Sequence, residues 1–213
     1  MSSFYFRNAA KRPQTTLHVT GTALLFVSLM MFVCSFVELS DNNSIYPLLV
    51  ASIICGFVGG VARLTTKPGI LGQAEIFSAV GGAYLFVSIF GTLPYLFAGT
   101  FDHGNSNSLI EFADALFESI SGYTATGSTV FGSHNPIESH GTGILLYRQL
   151  TQWIGGLGIV ILVVTVLPSL RASGLGLISA EAPGPEGDRL AARVVDTARE
   201  FWKIYFVLTL FIG

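Results

Sequence analysis

Long apolar runs alternate with short polar turns along this chain. Leu17–Val37 is broken only by His18 and small polar groups, Ile45–Ala62 follows an acidic, Asn-rich turn at Glu38–Asn43, and Ile76–Ala98 follows a basic turn containing Lys67-Pro68-Gly69. Each run is close to the ~20 residues that a helix needs to cross a hydrocarbon core of ~30 Å. A further run, Ile144–Leu167, is apolar apart from Arg148, Gln149 and Gln152. Ser169–Arg189 reads as a Gly/Pro-rich linker, and a last helical segment is expected from Leu190, apolar from Ile204 onward. Pro94, near the end of the third run, is expected to kink or stop its helix. Gly56-x-x-x-Gly60, with Gly59 beside it, suits close helix approach, or is ordinary membrane glycine.

One stretch breaks this pattern. Residues 108–131 open with Ser108 and Glu111, the spacing of a capping box. The helix they start can run only to about Gly122, a rise of roughly 20 Å that is too short to cross a bilayer. Thr124-Ala125-Thr126-Gly127-Ser128 follows, small, uncharged and rich in hydroxyls. A half-helix and a non-helical strand at membrane depth are tolerated only where protein or water surrounds them, which describes a pore loop. By composition alone an ordinary Ser/Thr-rich outer loop fits as well.

Charge separates the two readings. With the N-terminus inside, Arg7, Lys11, Arg12, Arg63, Lys67, Arg171, Arg189, Arg193, Arg199 and Lys203 all face the cytoplasm, and Arg148 is the exception among 11 basic residues. That one-sidedness follows the positive-inside rule, and it holds only if 108–131 enters and leaves by the same outer face. Composition agrees with a membrane protein, at 51% hydrophobic and 11% charged residues with a mean hydropathy of +0.62. The basic start and the first apolar run are not a signal peptide, because the run outlasts a core of about 7–15 residues and Val37-Glu38-Leu39 offers no small-residue cleavage site. The expected fold is therefore an all-α integral membrane protein. It comprises a two-helix N-terminal membrane domain (1–72), a helix–pore loop–helix repeat (73–170), a cytoplasmic linker (171–189) and the start of a second repeat (190–213).

The loop suits a cation. A helix C-terminus carries about half a negative charge, and Ser121 and Gly122 put that end at the mouth of the strand. Carbonyls turned inward there replace water around a dehydrated ion, and Gly127 relieves the dihedral strain of aiming them. No Lys or Arg lies between Lys67 and Arg148 to oppose cation entry. Arg148, a charge inside a span, calls for a partner; Glu118 is favoured over Asp114, with snorkelling to the outer surface as the alternative. Gly155, Gly156 and Gly158 are read as helix packing, with a hinge as the second choice.

Cys34 and Cys55 are expected as lipid- or core-facing hydrophobes rather than a disulfide pair. No metal-ligand spacing, phosphate loop or nucleic-acid signature is present, and neither enzymatic activity nor a cofactor is expected. An intramembrane serine hydrolase using Ser121 or Ser128 with His134 or His140 is a remote alternative, weakened by both histidines lying in a polar loop.

Phe117-Glu118-Ser119-Ile120-Ser121-Gly122-Tyr123-Thr124-Ala125-Thr126-Gly127-Ser128-Thr129, Tyr147-Arg148-Gln149 and Gln152-Trp153-Ile154-Gly155-Gly156-Leu157-Gly158-Ile159 resemble the first repeat of TrkH-type potassium uptake proteins, of the Trk/Ktr/HKT cation transporter superfamily. Glu181-Ala182-Pro183-Gly184-Pro185, Thr197-Ala198, Trp202, Ile204 and Tyr205 resemble the same family's linker and next helix. Residues 75–213 carry the likeness; 1–74 share only the presence of two extra helices. The resemblance implies four helix–pore loop–helix repeats around one ion path, with the filter glycine at Gly127 and Thr124–Ser128 as the filter. It puts K+ at Thr124, Thr126 and Gly127, with Na+ as a second ion. Ala125 stands where the family often has Thr. The resemblance also implies an inner-membrane location, a homodimer and a cytoplasmic nucleotide-binding regulatory subunit, with Arg171–Lys203 as one docking surface. With one pore loop in place of four, the chain reads as the N-terminal part of a longer transporter, inactive or structural until the rest is joined to it.

Overall fold

Polar groups on two apolar helices can be hidden from lipid by turning them toward each other. The computed structural model, which describes residues 12–41, 43–67, 73–102, 108–175 and 186–212, does this between α1 (Arg12–Ser40) and α2 (Tyr46–Thr65). Ser28 Oγ donates to the Ser52 carbonyl and Ser52 Oγ donates to the Ser28 carbonyl, each at 2.9 Å. Cys55 Sγ donates to the Leu24 carbonyl at 3.3 Å, and both cysteines are free. Gly21 and Gly59 bring the two backbones together, since a Cβ on either would lie 2.9 Å from the other's carbonyl oxygen. Gly56 also faces α1, but Gly60 faces open space. The small-residue contact is thus Gly56 and Gly59, not the Gly56–Gly60 spacing, because residue 60 lies one position further around the helix. Phe26, Leu29, Ile53 and Phe57 stay on the exposed faces.

The third span is broken. α3 (Gln73–Phe90) stops ahead of a turn at Gly91-Thr92, and α4 (Leu93–Phe97) follows. Pro94 has no N–H, and its ring collides with the carbonyl four residues back, at Phe90, so the regular helix ends there. Among the described residues three segments are long and apolar enough to cross a membrane: Gln14–Ser40, Tyr46–Thr65 and Phe77–Phe97. The remaining elements are α5 (Ser108–Tyr123), a 3-10 turn at Ile137–Ser139, α6 (Thr142–Leu175) and α7 (Glu186–Ile212). The fold is all-α; the only extended pairing among the described residues is an isolated bridge between Gly132 and Asn135.

α6 continues past the expected end at Leu167, through Pro168, to Leu175, and α7 begins at Glu186, ahead of the expected Leu190. Leu170-Arg171-Ala172 are strong helix formers that carry the first extension, and Glu186 and Asp188 complement a helix start. Arg7, Lys11 and Glu181–Pro185 lie outside the described residues. Contacts divide the chain into a unit Met1–Trp153 and a unit Ile154–Gly213. Within the second, a Cβ on Gly156 would come within 3.0 Å of Tyr205 Oη.

Candidate functional site

The site is a helix end and the strand that leaves it. α5 spans 16 residues, a rise of about 24 Å at 1.5 Å per residue, short of a hydrocarbon core. Ser108 is its first helical residue, one place inside the position that a capping box assigns it.

At the other end the chain closes in a Schellman motif. Thr126 N–H donates to the Ser121 carbonyl at 3.0 Å and Ala125 N–H to the Gly122 carbonyl at 2.9 Å. The left-handed position of that motif is occupied by Ala125, with φ 52°, and two residues on Gly127 is left-handed again at φ 77°. Ala125 bears a Cβ where glycine is usual, a strain of about 1–2 kcal/mol. Ser121 and Gly122, expected to present the negative helix end to the strand, have their carbonyls taken by this cap.

Hydroxyls fix the strand from inside. Ser121 Oγ donates to the Ser128 carbonyl at 2.5 Å. Thr124 Oγ1 donates to the Ile120 carbonyl at 2.7 Å, so in its 2.8 Å contact with Thr126 Oγ1 the proton comes from Thr126. The Thr124 hydroxyl is engaged as both donor and acceptor. Among the described residues, no donor reaches the carbonyl oxygens of Thr124, Ala125, Thr126 or Gly127. Thr126, Gly127 and Ser128 are exposed, while Thr124 and Ala125 are half-buried.

A buried carboxylate holds this strand to both helices. Glu118 is 2% exposed on α5, and its Oε1 accepts from Arg148 Nε of α6 at 2.5 Å. Its Oε2 accepts from Val130 N–H and Thr129 Oγ1, each at 3.0 Å. Arg148 also lies over the Phe131 ring, 5.5 Å from its centre. One acid thus ties the half-helix, the outgoing strand and the next span together. Thr129 and Val130 escape sequence reasoning because an irregular strand has no periodicity to place them.

Close packing brings α5 against α3 and α6. Ser119 Oγ donates to the Ser88 carbonyl at 2.7 Å. Tyr147 Oη donates to the Gly91 carbonyl at 3.0 Å, and its single proton is then spent, so Tyr123 Oη donates to Tyr147 Oη at 3.1 Å. A Cβ on Gly122 would overlap Thr151 Oγ1, and one on Gly127 would lie 3.1 Å from Gln152 Nε2.

The serine–histidine alternative finds no support here. Ser121 sends its proton to a carbonyl, and His140 Nε2 makes its 2.6 Å contact with Asn135 Oδ1. Burial lowers the His140 pKa from its ordinary value. The predicted filter residues Thr124–Ser128 form the irregular segment that leaves the cap of α5. Gly155, Gly156 and Gly158 lie further along α6, the first buried and the other two half-buried.

The TrkH family model, described as a cation transport protein, matches residues 48–213. The chain is 35% identical to the Trk system potassium uptake protein TrkH of Halomonas elongata, over 91% of its own length and 39% of that protein's. It is 33% identical to the Trk system potassium uptake protein TrkG of Escherichia coli, over 90% of its length and 38% of that protein's. Its structure is similar to the crystal structure of the potassium transporter TrkH from Vibrio parahaemolyticus, with a TM-score of 0.70 and 28% identity, covering 92% of this chain and 37% of the other. The chain thus spans under two fifths of the length of these relatives.

Proposed function

The chain belongs to the TrkH family of cation transport proteins, and on that premise we propose that Thr124–Gly127 form one quarter of a potassium-selective filter. The observation that carries this is a strand whose four successive carbonyls have no donor, on a backbone held by Glu118 and the Ser121 hydroxyl. Left-handed residues at 125 and 127 alternate with ordinary ones, an arrangement that turns neighbouring carbonyls toward one side. Such oxygens replace the hydration shell of K+, and of Na+ less well. Ser128 contributes through its hydroxyl, because its carbonyl is already bonded to Ser121.

The N-terminus is cytoplasmic in this reading, and α5 dips into an inner membrane from the outside. Three further repeats complete the ring, so the 213-residue stretch by itself is a membrane-inserted part without a closed path. The driving force for entry is the membrane potential, about 2.3 kcal/mol per elementary charge per 100 mV. The full-length protein forms a dimer and is regulated from the cytoplasm by a nucleotide-binding subunit, for which Arg171–Lys203 is a docking candidate. Glu118–Arg148 is the structural pair of the filter, and Gly155, Gly156 and Gly158 serve helix packing.

The test is rubidium and potassium uptake by cells that depend on the full-length protein. Gly127→Ser, which places a side chain on a left-handed residue and against Gln152, should remove K+ preference while the protein still reaches the membrane. Unchanged K+/Na+ selectivity would overturn the filter assignment. Ion flux through the purified 213-residue stretch alone should be nil.

A further inference from the structure

A second polar site lies apart from the filter strand. Glu38, in the last turn of α1, is 3% exposed and packs on the N-terminus of α6. Its Oε1 accepts from Ile144 N–H at 2.9 Å. It fits there because residues 141 and 143 are glycines: a Cβ at 141 would overlap its carboxyl oxygens, and one at 143 its Cγ. Glu38 Oε2 is buried and has no partner. Thr100 Oγ1 is also buried and without a partner, although the Thr100 carbonyl is taken by Asn135 Nδ2 at 2.9 Å. Both residues line one cleft of about 190 Å³, together with Asn43, Ser44, Ser139 and His140.

Buried oxygens without a donor, on two residues that line one cleft, are costly unless a partner is supplied. A carboxylate oxygen only accepts, so the missing partner of Glu38 Oε2 must carry positive charge or donate. The cleft far exceeds the 10–15 Å³ or so that one water requires. Hard oxygen donors select hard cations, and no group of three or more His, Cys, Asp or Glu able to hold a metal ion occurs among the described residues. A single carboxylate matches a single positive charge. We propose that the Glu38–Thr100 cleft binds a partly hydrated alkali cation, Na+ or K+, at a site separate from the filter. This inference does not depend on the filter assignment.

The experiment is isothermal titration of the purified full-length protein with NaCl and with KCl, in N-methylglucamine buffer at constant ionic strength. Glu38→Gln keeps the acceptor for Ile144 N–H and so spares the helix cap, while Thr100→Val keeps the volume. Wild type should show a saturable component that weakens by roughly tenfold or more in E38Q, where the full charge is removed, and by less in T100V. Gly127→Ser should leave that component in place, which separates it from any filter binding. Thermal midpoints should rise with either salt in wild type and stay flat in E38Q. An isotherm unchanged in E38Q would overturn the proposal. So would binding lost in E38Q but untouched in T100V, or lost with G127S, since either result puts the cation elsewhere.

Discussion

The α1/α2 pair and the Thr124–Phe131 strand solve opposite problems with the same residue types. Between α1 and α2, serine hydroxyls reach across to carbonyls that are already helical, at Ser28 and Ser52, and glycines let the backbones touch. Nothing polar is left over at that contact, and the pair serves as scaffold. After α5, hydroxyls again bond to carbonyls, but they do so at Ile120 and Ser128, on either side of the carbonyls that remain free. A buried charge cluster then holds the strand, because it has no ladder of its own. The helix pair and the loop therefore differ in where their unsatisfied groups lie, and not in composition.

The largest test of that difference is Glu118. In Glu118→Ala, the half-buried Arg148 is left without its counter-charge and Val130 N–H and Thr129 lose their acceptor. Breaking a buried pair in this way costs about 3–5 kcal/mol. The expected result is loss of K+ uptake and a large fall in the thermal-inactivation midpoint in detergent. Exchanging the charges, Glu118→Arg with Arg148→Glu, should not restore uptake, because an arginine at 118 cannot accept from Thr129 and Val130. Rescue by the double exchange would reduce Glu118 to one half of an ion pair.

Gly122 comes next. A methyl there overlaps Thr151 Oγ1, and overpacking of this kind costs about 1–3 kcal/mol. Gly122→Ala should lower the inactivation midpoint and slow uptake, and Thr151→Ala in the same protein, which removes the overlapped hydroxyl, should recover part of both. Absence of any recovery would mean that the glycine serves the Schellman cap rather than the packing of α5 on α6.

These sites show what the sequence discloses and where it stops. The spans were legible because apolar length is a global property of each segment, and α5 was legible as too short to cross. Pro94 marked a break, but the turn falls at Gly91-Thr92, since proline acts on the residues before it. Depth alone narrowed the partner of Arg148 to two acids. The rest of that cluster involves Thr129 and Val130, whose positions depend on how the strand turns after Gly127. Glu38 read as part of a polar turn; its bond to Ile144 N–H spans 106 residues and leaves no local trace. The free carbonyls are legible only in outline, because backbone direction at Ala125 and Gly127 is set by the cap of α5.

Ala125 sharpens the comparison from the loop side. Its left-handed backbone costs about 1–2 kcal/mol with a Cβ, and glycine recovers this at an entropic penalty of about 0.5–1 kcal/mol. Ala125→Gly should therefore raise stability by about 0–1.5 kcal/mol, read as a small rise in inactivation midpoint, with K+ preference kept. A loss of selectivity would show that the Cβ of Ala125 has a role beyond the cap.

The smallest effect is expected in the scaffold. Ser52→Ala removes the hydroxyl donated to the Ser28 carbonyl, but that carbonyl sits in α1 and the reciprocal bond from Ser28 Oγ to the Ser52 carbonyl survives. Hydrogen bonds between membrane helices are worth about 0.6 kcal/mol on average. The variant should lose that much stability and leave both the uptake rate and the K+/Na+ ratio at wild-type values. A change in selectivity from Ser52→Ala would erase the distinction drawn between the two regions. It would mean that the α1/α2 contact transmits its geometry to the Thr124–Phe131 segment, and α1 offers one physical route for this, through Glu38 at the start of α6.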